Sequence, residues 1–343
     1  MAQVFIGVPT FNRPDLVRQT VASILAQSFT DWQAVVSDNC SSPEAAEAVR
    51  RFVEGLNDPR VAFHAQAVNE GEYGQAWLFL ERSAACELMV MLHDDDIIGR
   101  DYLATAVAAL ASEPAADLYV SNFVTIDMES RRLEAETAER RHLLGRDGAQ
   151  RGLFDVRESH IMSGFTPISG TVFRRSAFIA SGYVDPGKVG IYPFECDLFL
   201  RLADIGAKGW FDPAERLSFR AHFGSQQSTL KLMDNPHVVA PMLELFARRR
   251  YSGPVERRRR VLVSRFCRAD AMIRLRQGDV AGARQQLWRA VRENPRSPQA
   301  WALGAAILLW PRGLRERLPP VQYVRDIGDS PAGQRQGLDG AGA

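Results

Sequence analysis

The stretch Val90-Met91-Leu92-His93-Asp94-Asp95-Asp96-Ile97-Ile98 joins a short apolar run to three consecutive acids. Residues 89–92 are apolar and flanked by polar residues, which indicates a buried strand of a parallel sheet rather than a half-exposed strand. Three adjacent carboxylates repel one another, so a folded chain rarely keeps them for stability alone. At the carboxyl end of such a strand, the acids would lie on the edge where open α/β sheets bind ligands.

The acids themselves allow two interpretations. Clustered carboxylate oxygens at a strand end suit a hard divalent cation that keeps some waters and bridges to a phosphate. In the second interpretation they form a solvated turn, with Asp95 and Asp96 capping a helix expected over residues 102–110, because acids stabilise a helix N-terminus. This stretch taken alone favours neither interpretation.

The composition is that of an ordinary globular protein of 343 residues, long enough for one large domain and a smaller one. With 42 basic and 41 acidic residues the net charge is +1, so we expect no nucleic acid partner. The cysteines show neither C-x-x-C pairing nor zinc-site spacing, which predicts free thiols in a reducing compartment. They are Cys40, Cys86, Cys196 and Cys267.

Both ends of the chain bear on its location. The start, Met1-Ala2-Gln3-Val4-Phe5, has no basic region and leads directly into a strand, so we expect no signal peptide. The longest apolar run, residues 300–310, is too short to span a bilayer. These features predict a cytoplasmic protein, with peripheral contact at the inner face of the membrane as a further option.

Strands and helices alternate along the first part of the chain. Apolar strands are expected at residues 4–8, 32–37 and 61–64. Between them, Pro14 suits the first turn of a helix, and Val17, Val21 and Ile24 recur at helical spacing. A further helix over residues 76–85 leads into the acidic strand. This alternation predicts an α/β fold with a mostly parallel sheet and helices on both faces.

Four segments in this order resemble the family 2 glycosyltransferases, whose nucleotide-sugar domain has the GT-A fold: "VPTFNRPDLVRQTVASILAQSF", "WQAVVSDNCSS", "NEGEYGQAW" and "MVMLHDDDII". Further on, "SGTVFRRSAFIASGYVDP" is similar to the acceptor-side segment of the family, and "ECDLFLRLADIGAKGWF" to the segment that carries its catalytic acid. The resemblance covers roughly residues 3–230 and implies a nucleoside-diphosphate sugar as the donor, with a UDP-sugar favoured.

The resemblance implies that the loop after the first strand and the end of the second hold the nucleotide-sugar. An aromatic ring can stack on a base, and a carboxylate can accept a base N–H or a ribose hydroxyl. Core packing of the phenyl ring and an Asx-turn or helix cap at the aspartate are the structural alternatives. The implied donor-binding residues are Pro9, Thr10, Phe11, Asp38, Asn69, Gly71, Asp94 and Asp95.

In the family, the acidic triplet corresponds to the D-x-D region that holds Mg²⁺ or Mn²⁺ on the donor diphosphate. On this resemblance we expect Asp96 to be a direct ligand, with Asp94 and Asp95 contributing to metal or ribose binding. A cation there would stabilise the charge that builds on the leaving diphosphate. His222 matches a position where a histidine approaches the metal, whereas we expect His93 to be structural.

The catalytic base is sought in Glu195-Cys196-Asp197, where the family usually shows Glu-Asp. Aligning the following Leu-x-Leu-Arg run puts Glu195 at the catalytic position. Helical spacing agrees, because Glu195 shares a face with Leu198 and Asp197 shares one with Arg201. We therefore expect Glu195 to be the base, with Asp197 in reserve. By resemblance alone, Gly170 and Thr171 lie on the acceptor side.

The remaining segments carry no family motif. Residues 127–155 are charged and poorly periodic, which favours a mobile lid or a solvated excursion. Residues 268–309 are similar to one tetratricopeptide-type helical hairpin, which cannot bury its own core. We therefore expect it to pack on the catalytic domain, on another subunit in a homo-oligomer, or against a membrane surface through its Trp301 to Trp310 face. The arginine clusters nearby could contact anionic lipid, although a solvated helix face is the commoner explanation. The expected divisions are a GT-A domain at 1–230, helices at 231–318 and a disordered tail at 319–343.

The sequence thus predicts a metal-dependent, inverting glycosyltransferase that acts on a glycan or lipid-linked acceptor. Two alternatives stand beside it. A catalytically silent nucleotide-sugar-binding scaffold is motivated by Phe194, which stands where the family has a neighbouring acid. A nucleotidyltransferase would usually carry a glycine-rich phosphate loop with a basic residue near the amino terminus, and none is found.

Overall fold

The computed structural model describes residues 3–183, 193–221 and 233–318. The chain divides between residues 222 and 223 into two compact units. Each unit has a hydrophobic core of its own. The division falls close to the predicted boundary at residue 230.

The first unit alternates strands and helices, as the apolar pattern predicts. Its strands are β1 (Val4–Thr10), β2 (Trp32–Asp38), β3 (Val61–Ala65), β4 (Leu88–Met91), β5 (Ile97–Ile98), β6 (Leu118–Ile126), β7 (Gly152–Asp155), β8 (Val172–Arg174) and β9 (Lys208–Arg220). Its helices are α1 (Pro14–Leu25), α2 (Pro43–Gly55), α3 (Gly71–Arg82), α4 (Tyr102–Ser112), α5 (Glu134–Leu143), α6 (Val156–Ser163), α7 (Arg175–Ala180) and α8 (Phe194–Asp204).

The strands form one sheet in the order β3-β2-β1-β4-β8-β6-β9-β5, with β7 also paired to β9. Strands β3, β2, β1 and β4 run parallel to one another, and β6 runs parallel to β9. Strand β8 runs antiparallel between β4 and β6. The carboxyl ends of β1, β2 and β4 therefore meet at one edge, which brings the loops at Thr10, Asp38 and the acidic triplet together.

Strand β1 is buried on both faces, as expected for the centre of a parallel sheet. Val4, Ile6 and Val8 face the core cluster shared with α1, α2 and α4, whereas Phe5 faces the cluster shared with α3, α7 and α8. Gly7 lies on the second face, where an added Cβ would stand 2.3 Å from the ring of Phe79 in α3. The small residue thus lets α3 pack directly on the strand whose end carries Thr10.

The acidic triplet does not cap a helix. Strand β4 ends at Met91, and the short strand β5 separates the triplet from α4. The N-cap of α4 is Asp101, and no side-chain hydrogen bond caps this helix end. The helix-cap interpretation is therefore wrong.

Residues 127–155 contain defined secondary structure, and Thr137 and Arg146 are the only buried residues among them. Within them lie α5 and β7, and β7 pairs with β9 at the edge of the sheet. Thr137 accepts a hydrogen bond from the Thr125 N–H and donates one to the Leu133 carbonyl. Arg146 is 2% exposed and donates to the carbonyls of Ser121 and Phe165. The charged composition does not predict these contacts, because the carbonyls that Arg146 binds are distant from it in sequence.

The second unit is helical. Its helices are α9 (Pro236–Ala247), α10 (Gly253–Gln277), α11 (Val280–Glu293), α12 (Pro298–Leu309) and α13 (Pro311–Arg317). Gly278 and Asp279 form the turn between α10 and α11, and the Asp279 side chain caps α11. Ala271, Leu287 and Ile307 belong to a core shared by α10, α11 and α12. The tetratricopeptide assignment remains a prediction.

No helix among the described residues is long and apolar enough to cross a membrane. None of the four cysteines forms a disulfide in the structure.

Candidate functional site

The acidic triplet lies buried at the ligand-binding edge of the sheet. Asp94, Asp95 and Asp96 are 4%, 9% and 4% exposed. A solvated turn would leave these carboxylates in water, so the structure contradicts that interpretation too. Since buried carboxylates are costly unless they find compensating partners, the contacts around the triplet indicate how the fold keeps them.

Two residues of the loop after β1 hold the first two acids. The Thr10 hydroxyl donates to Asp94 Oδ2 at 2.7 Å. The Arg13 guanidinium, through Nη1, lies 3.2 Å from Asp94 Oδ1 and 3.2 Å from Asp95 Oδ2. One cation thus bridges two acids that would otherwise repel. Burial raises the pKa of Asp94, as does Asp95, while Arg13 opposes the rise.

Asp96 is held from two other elements. Its Oδ2 accepts a hydrogen bond from the Ser169 hydroxyl, and its Oδ1 accepts one from the Arg220 N–H at 3.1 Å. The Arg220 guanidinium also donates to the Asp95 carbonyl at 3.1 Å. Burial and the neighbouring Asp95 raise the pKa of Asp96. A carboxylate oxygen accepts more than one interaction, so these contacts orient Asp96 without excluding a metal.

The side chains of His93, Asp95 and Asp96 offer ligand atoms that all lie within 4.8 Å of one another. Two carboxylates and an imidazole form a donor set that suits Mn²⁺, and carboxylates suit Mg²⁺. His93 therefore lies in this cluster, although the sequence favoured a structural role for it. Asp94 lies outside this set and is held by Thr10 and Arg13 instead. The predicted ligand His222 lies outside the described residues.

The carboxyl end of β2 offers a hydrogen-bond acceptor. Asp38 is 2% exposed, and its Oδ2 accepts from the Ser41 N–H at 3.0 Å, which forms the Asx-turn considered from the sequence. Its Oδ1 is buried and meets no hydrogen-bond donor in the part of the chain that the structure describes. A buried carboxylate oxygen left in this way is typical of a position where a ligand supplies the donor.

A pair of asparagines closes the same edge. Asn39 donates through Nδ2 to Asn69 Oδ1 at 2.9 Å and accepts from the Glu70 N–H at 2.9 Å. Asn69 also accepts from the N–H of Gly71 at 3.0 Å. Gly71 has a φ of +66°, so the turn itself requires glycine there. In this structure Asn69 and Gly71 position the start of α3 beside the β2 loop.

Phe11 is 44% exposed, so it is not a core residue. Pro9 lies within β1, opposite Ser37, rather than ending the strand. The loop that carries Phe11 is tied to the β2 loop, because the Asn12 N–H donates to the Ser41 hydroxyl and Asn12 Oδ1 accepts from the Ser42 N–H, both at 2.8 Å. An exposed ring beside a buried acceptor is an arrangement that suits a nucleoside.

Glu195 stands in the first turn of α8 and is half-buried. Its Oε1 accepts from the Ile168 N–H at 3.3 Å. The next residue, Ser169, hydrogen-bonds Asp96 and also accepts from the His93 N–H at 3.1 Å. Burial raises the pKa of Glu195 to about 7, with Glu72 adding to the rise and His93 opposing it. A carboxyl group with such a pKa is suited to accept a proton near neutral pH.

Asp197 has a different environment. It is 1% exposed and accepts from Arg201 Nε at 2.8 Å, which confirms the predicted i,i+4 ion pair. The choice of Glu195 rather than Asp197 as the base remains a prediction. The Asp197 ion pair stabilises α8, whereas Glu195 is held next to the segment that contacts the acidic cluster.

The two predicted acceptor-side residues are engaged within the protein. The Gly170 carbonyl accepts a hydrogen bond from the Tyr102 hydroxyl, and its N–H donates to the Met91 carbonyl at 2.8 Å. Thr171 is 1% exposed and donates to the Pro167 carbonyl. These contacts anchor the segment containing Ser169 against β4. An acceptor role for Gly170 and Thr171 remains a prediction.

Sequence reasoning missed Arg13, Asn39, Ser169 and Arg220. Arg13 and Asn39 lie inside segments that matched the family, so their polar character at strand ends was a usable signal. Ser169 and Arg220 contact Asp96 from positions more than 70 residues away in sequence, and no local pattern reveals such contacts.

Residues 5–179 match the model of the family described as Glycosyl transferase family 2. The chain is 32% identical over 68 residues to an Escherichia coli protein named as a colanic acid biosynthesis glycosyl transferase, WcaA, a match covering 20% of this chain and 24% of that protein. It is 31% identical over 97 residues to the GalNAc(5)-diNAcBac-PP-undecaprenol beta-1,3-glucosyltransferase of Campylobacter jejuni, covering 28% of this chain and 30% of that protein. The chain therefore matches less than a third of the length of either relative.

Solved structures share the fold over most of the chain. S. aureus TarS 1-349 in complex with UDP-GlcNAc has a TM-score of 0.62 at 13% identity, covering 92% of this chain and 90% of that one. The mannosyltransferase PcManGT from Pyrobaculum calidifontis, in complex with GDP-Man and Mn²⁺, has a TM-score of 0.52 at 19% identity, covering 92% and 83%. These likenesses confirm the predicted GT-A fold.

Proposed function

The chain belongs to glycosyl transferase family 2, and from this membership we propose that it transfers a sugar from a nucleoside-diphosphate sugar to an acceptor hydroxyl with inversion. One observation carries the proposal. A single short segment links Glu195 to the acidic cluster, because Ile168 contacts Glu195 and Ser169 contacts Asp96. A base and a diphosphate anchor held by adjacent residues suit a one-step displacement.

In this proposal the donor lies along the carboxyl ends of β1, β2 and β4. Asp38 accepts a hydrogen bond from the nucleoside through its buried Oδ1, and Phe11 stacks on the base. Asn69 and Gly71 shape the adjoining turn. A UDP-sugar is the favoured donor, as predicted from the sequence. The acceptor is a glycan or a lipid-linked glycan, with Gly170 and Thr171 on its side of the site.

His93, Asp95 and Asp96 would hold Mn²⁺ or Mg²⁺, which when bound supplies positive charge for the leaving diphosphate. Thr10 and Arg13 orient Asp94 and Asp95 from the neighbouring loop. Glu195 takes the proton from the acceptor hydroxyl while the acceptor oxygen attacks the anomeric carbon. Since its pKa is about 7, a substantial fraction of Glu195 is unprotonated at neutral pH.

The first test is a thermal-shift screen with UDP, GDP, dTDP and their sugars, each with and without Mn²⁺. A ligand at 100 times its Kd stabilises the folded chain by about 2.7 kcal/mol, so a bound donor should raise the Tm clearly. No shift with any nucleotide would count against the proposal.

The second test is donor hydrolysis by the wild type and by Glu195→Gln. We expect the substitution to lower turnover roughly 100-fold or more while donor binding persists. Asp204→Asn, at the exposed end of the same helix, is the matched control and should behave as the wild type. Donor binding without turnover by any variant would favour the catalytically silent scaffold, and equal turnover by wild type and Glu195→Gln would exclude Glu195 as the base.

A further inference from the structure

Helix α12 has one polar side chain, Gln299, and is otherwise apolar, yet it is covered on only one side. It contains no charged residue. Ala300 and Ile307 are buried within the second unit. On the other side, Trp301, Leu308 and Leu309 are 53%, 63% and 85% exposed. A globular helix normally turns polar residues to water, so this exposed apolar face indicates a surface that meets another apolar phase.

The charge around this face is strongly positive. Residues 233–318 contain 18 arginines and seven acidic residues, a formal charge of +11. The whole chain carries +1, so the remaining residues carry −10. The near-neutral overall charge therefore conceals a basic unit. Three of its exposed arginines, Arg312, Arg315 and Arg317, lie on α13, directly after α12.

The junction between the two helices fixes an aromatic ring beside these cations. Trp310 is 48% exposed, and its ring packs against Gly313, where an added Cβ would stand 1.8 Å from it. The Arg317 guanidinium lies 4.6 Å from the centre of the same ring. Tryptophan next to arginine at the end of an apolar helix is typical of segments that lie in a membrane interface.

We propose that the second unit docks on an anionic lipid surface, with the exposed face of α12 entering the interface and the α13 arginines contacting phosphate headgroups. An anionic lipid surface fits because its negative charge is complementary to the positive charge of this unit. Two copies that met through this face would bring two units of +11 together, which opposes self-association. The docking does not depend on the proposed sugar transfer, so each is tested independently of the other.

The test is co-sedimentation of the full chain with vesicles of phosphatidylcholine and phosphatidylglycerol in equal parts, compared with vesicles of phosphatidylcholine alone. We expect binding to the anionic vesicles, much weaker binding to the neutral ones, and release as salt is raised. Absence of binding to the anionic vesicles, or equal binding to both kinds, would overturn the proposal.

Two variants separate the apolar and charged contributions. Leu308→Ser with Leu309→Ser should weaken partitioning roughly tenfold or more, because both exposed side chains would leave the lipid. Arg312→Gln with Arg317→Gln should weaken it roughly fivefold for each arginine at low salt. Since these side chains are exposed, the variants should keep the wild-type Tm.

The matched controls carry the same changes on the first unit: Leu143→Ser, at a leucine that is 67% exposed, and Arg82→Gln with Arg100→Gln. They should bind as the wild type does. Equal losses in the control and the α12 variants would contradict docking through α12. A concentration-dependent dimer that Leu308→Ser with Leu309→Ser abolishes, without vesicle binding, would assign the face to a second copy instead.

Discussion

Glu195 combines a position beside the acidic cluster with a pKa of about 7. Only its unprotonated form can accept the acceptor proton, so we expect activity to rise as the pH increases through about 7 and then to level off. Glu72→Gln removes one carboxylate that raises this pKa, and it should move the rising limb to lower pH. The measurement is kcat/KM against pH.

Glu81→Gln, on the same helix as Glu72 but exposed, is the matched control for this profile. It should leave the pH range over which kcat/KM rises unchanged. If Glu72→Gln also leaves the limb unchanged while turnover continues, the group that titrates is not Glu195.

Arg13 neutralises Asp94 and Asp95 in the chain without metal. A bound cation would bring a second positive charge to the same acids, so Arg13 and the metal compete electrostatically. We expect Arg13→Gln to lower the stability of the metal-free chain by about 1 kcal/mol, because the bridge is partly exposed. We also expect Mn²⁺ to raise the Tm of this variant more than that of the wild type, as measured by thermal unfolding with and without Mn²⁺.

Arg18→Gln serves as the comparison, since Arg18 lies on α1, the helix that follows Arg13, and stacks on Phe52. Its response to Mn²⁺ should equal that of the wild type. A smaller Mn²⁺ stabilisation in Arg13→Gln would mean that Arg13 supports the liganded state instead.

At the scale of elements, the segment from β6 to β7 is docked through Arg146. Its guanidinium donates to the Ser121 and Phe165 carbonyls and lies 4.9 Å from the centre of the Phe165 ring. Arg146→Met would leave both buried carbonyls without this donor. We expect a loss of roughly 2 to 4 kcal/mol in the free energy of unfolding, measured by urea denaturation.

The same segment offers its own control. Arg131 is exposed and paired with Asp127 and Glu129, so Arg131→Met should cost less than about 1 kcal/mol. Similar small losses for both variants would favour the mobile-lid interpretation.

Some elements of the fold were predictable from the sequence and others were not. Strands β1, β2 and β4 were predictable because fully buried parallel strands are continuous apolar runs, and helical spacing predicted the ion pair of Asp197 with Arg201. The secondary structure within residues 127–155 was not predictable. Thr137 and Arg146 are polar residues that the fold buries, whereas the charged composition of the segment predicts exposure to solvent. For the same reason, the bridge from Arg13 to acids 81 residues away became visible only in the structure.

At the scale of the whole molecule, the second unit should be under electrostatic strain. Residues 233–318 of this unit carry 18 arginines and only seven acidic residues, so like charges repel within them. Raising the salt from about 0.1 M to 1 M shortens the Debye length from about 10 Å to 3 Å and screens this repulsion. We therefore expect amide hydrogen exchange in α10 and α11 to slow as salt is raised.

The central strands provide the internal reference for this experiment. Amides of β1 and β4 lie in the apolar core, and their exchange should respond much less to salt. Faster exchange of α10 at high salt would show that its ion pairs, such as Arg274 with Asp270, outweigh the repulsion.

If the nucleoside lies as proposed, Asp38 should favour some bases over others. Its Oδ1 is buried away from water and accepts no hydrogen bond from the described residues. Leaving this oxygen without a donor costs about 1 to 3 kcal/mol. A base that offers an N–H there, as uracil and guanine do through their ring imides and lactams, recovers this cost. A base that offers a lone pair, such as the N3 atom of cytosine, adds repulsion. In the proposed arrangement, nucleotides of uracil and guanine should therefore bind more tightly than those of cytosine, because the protein already holds the acceptor in place before a ligand binds.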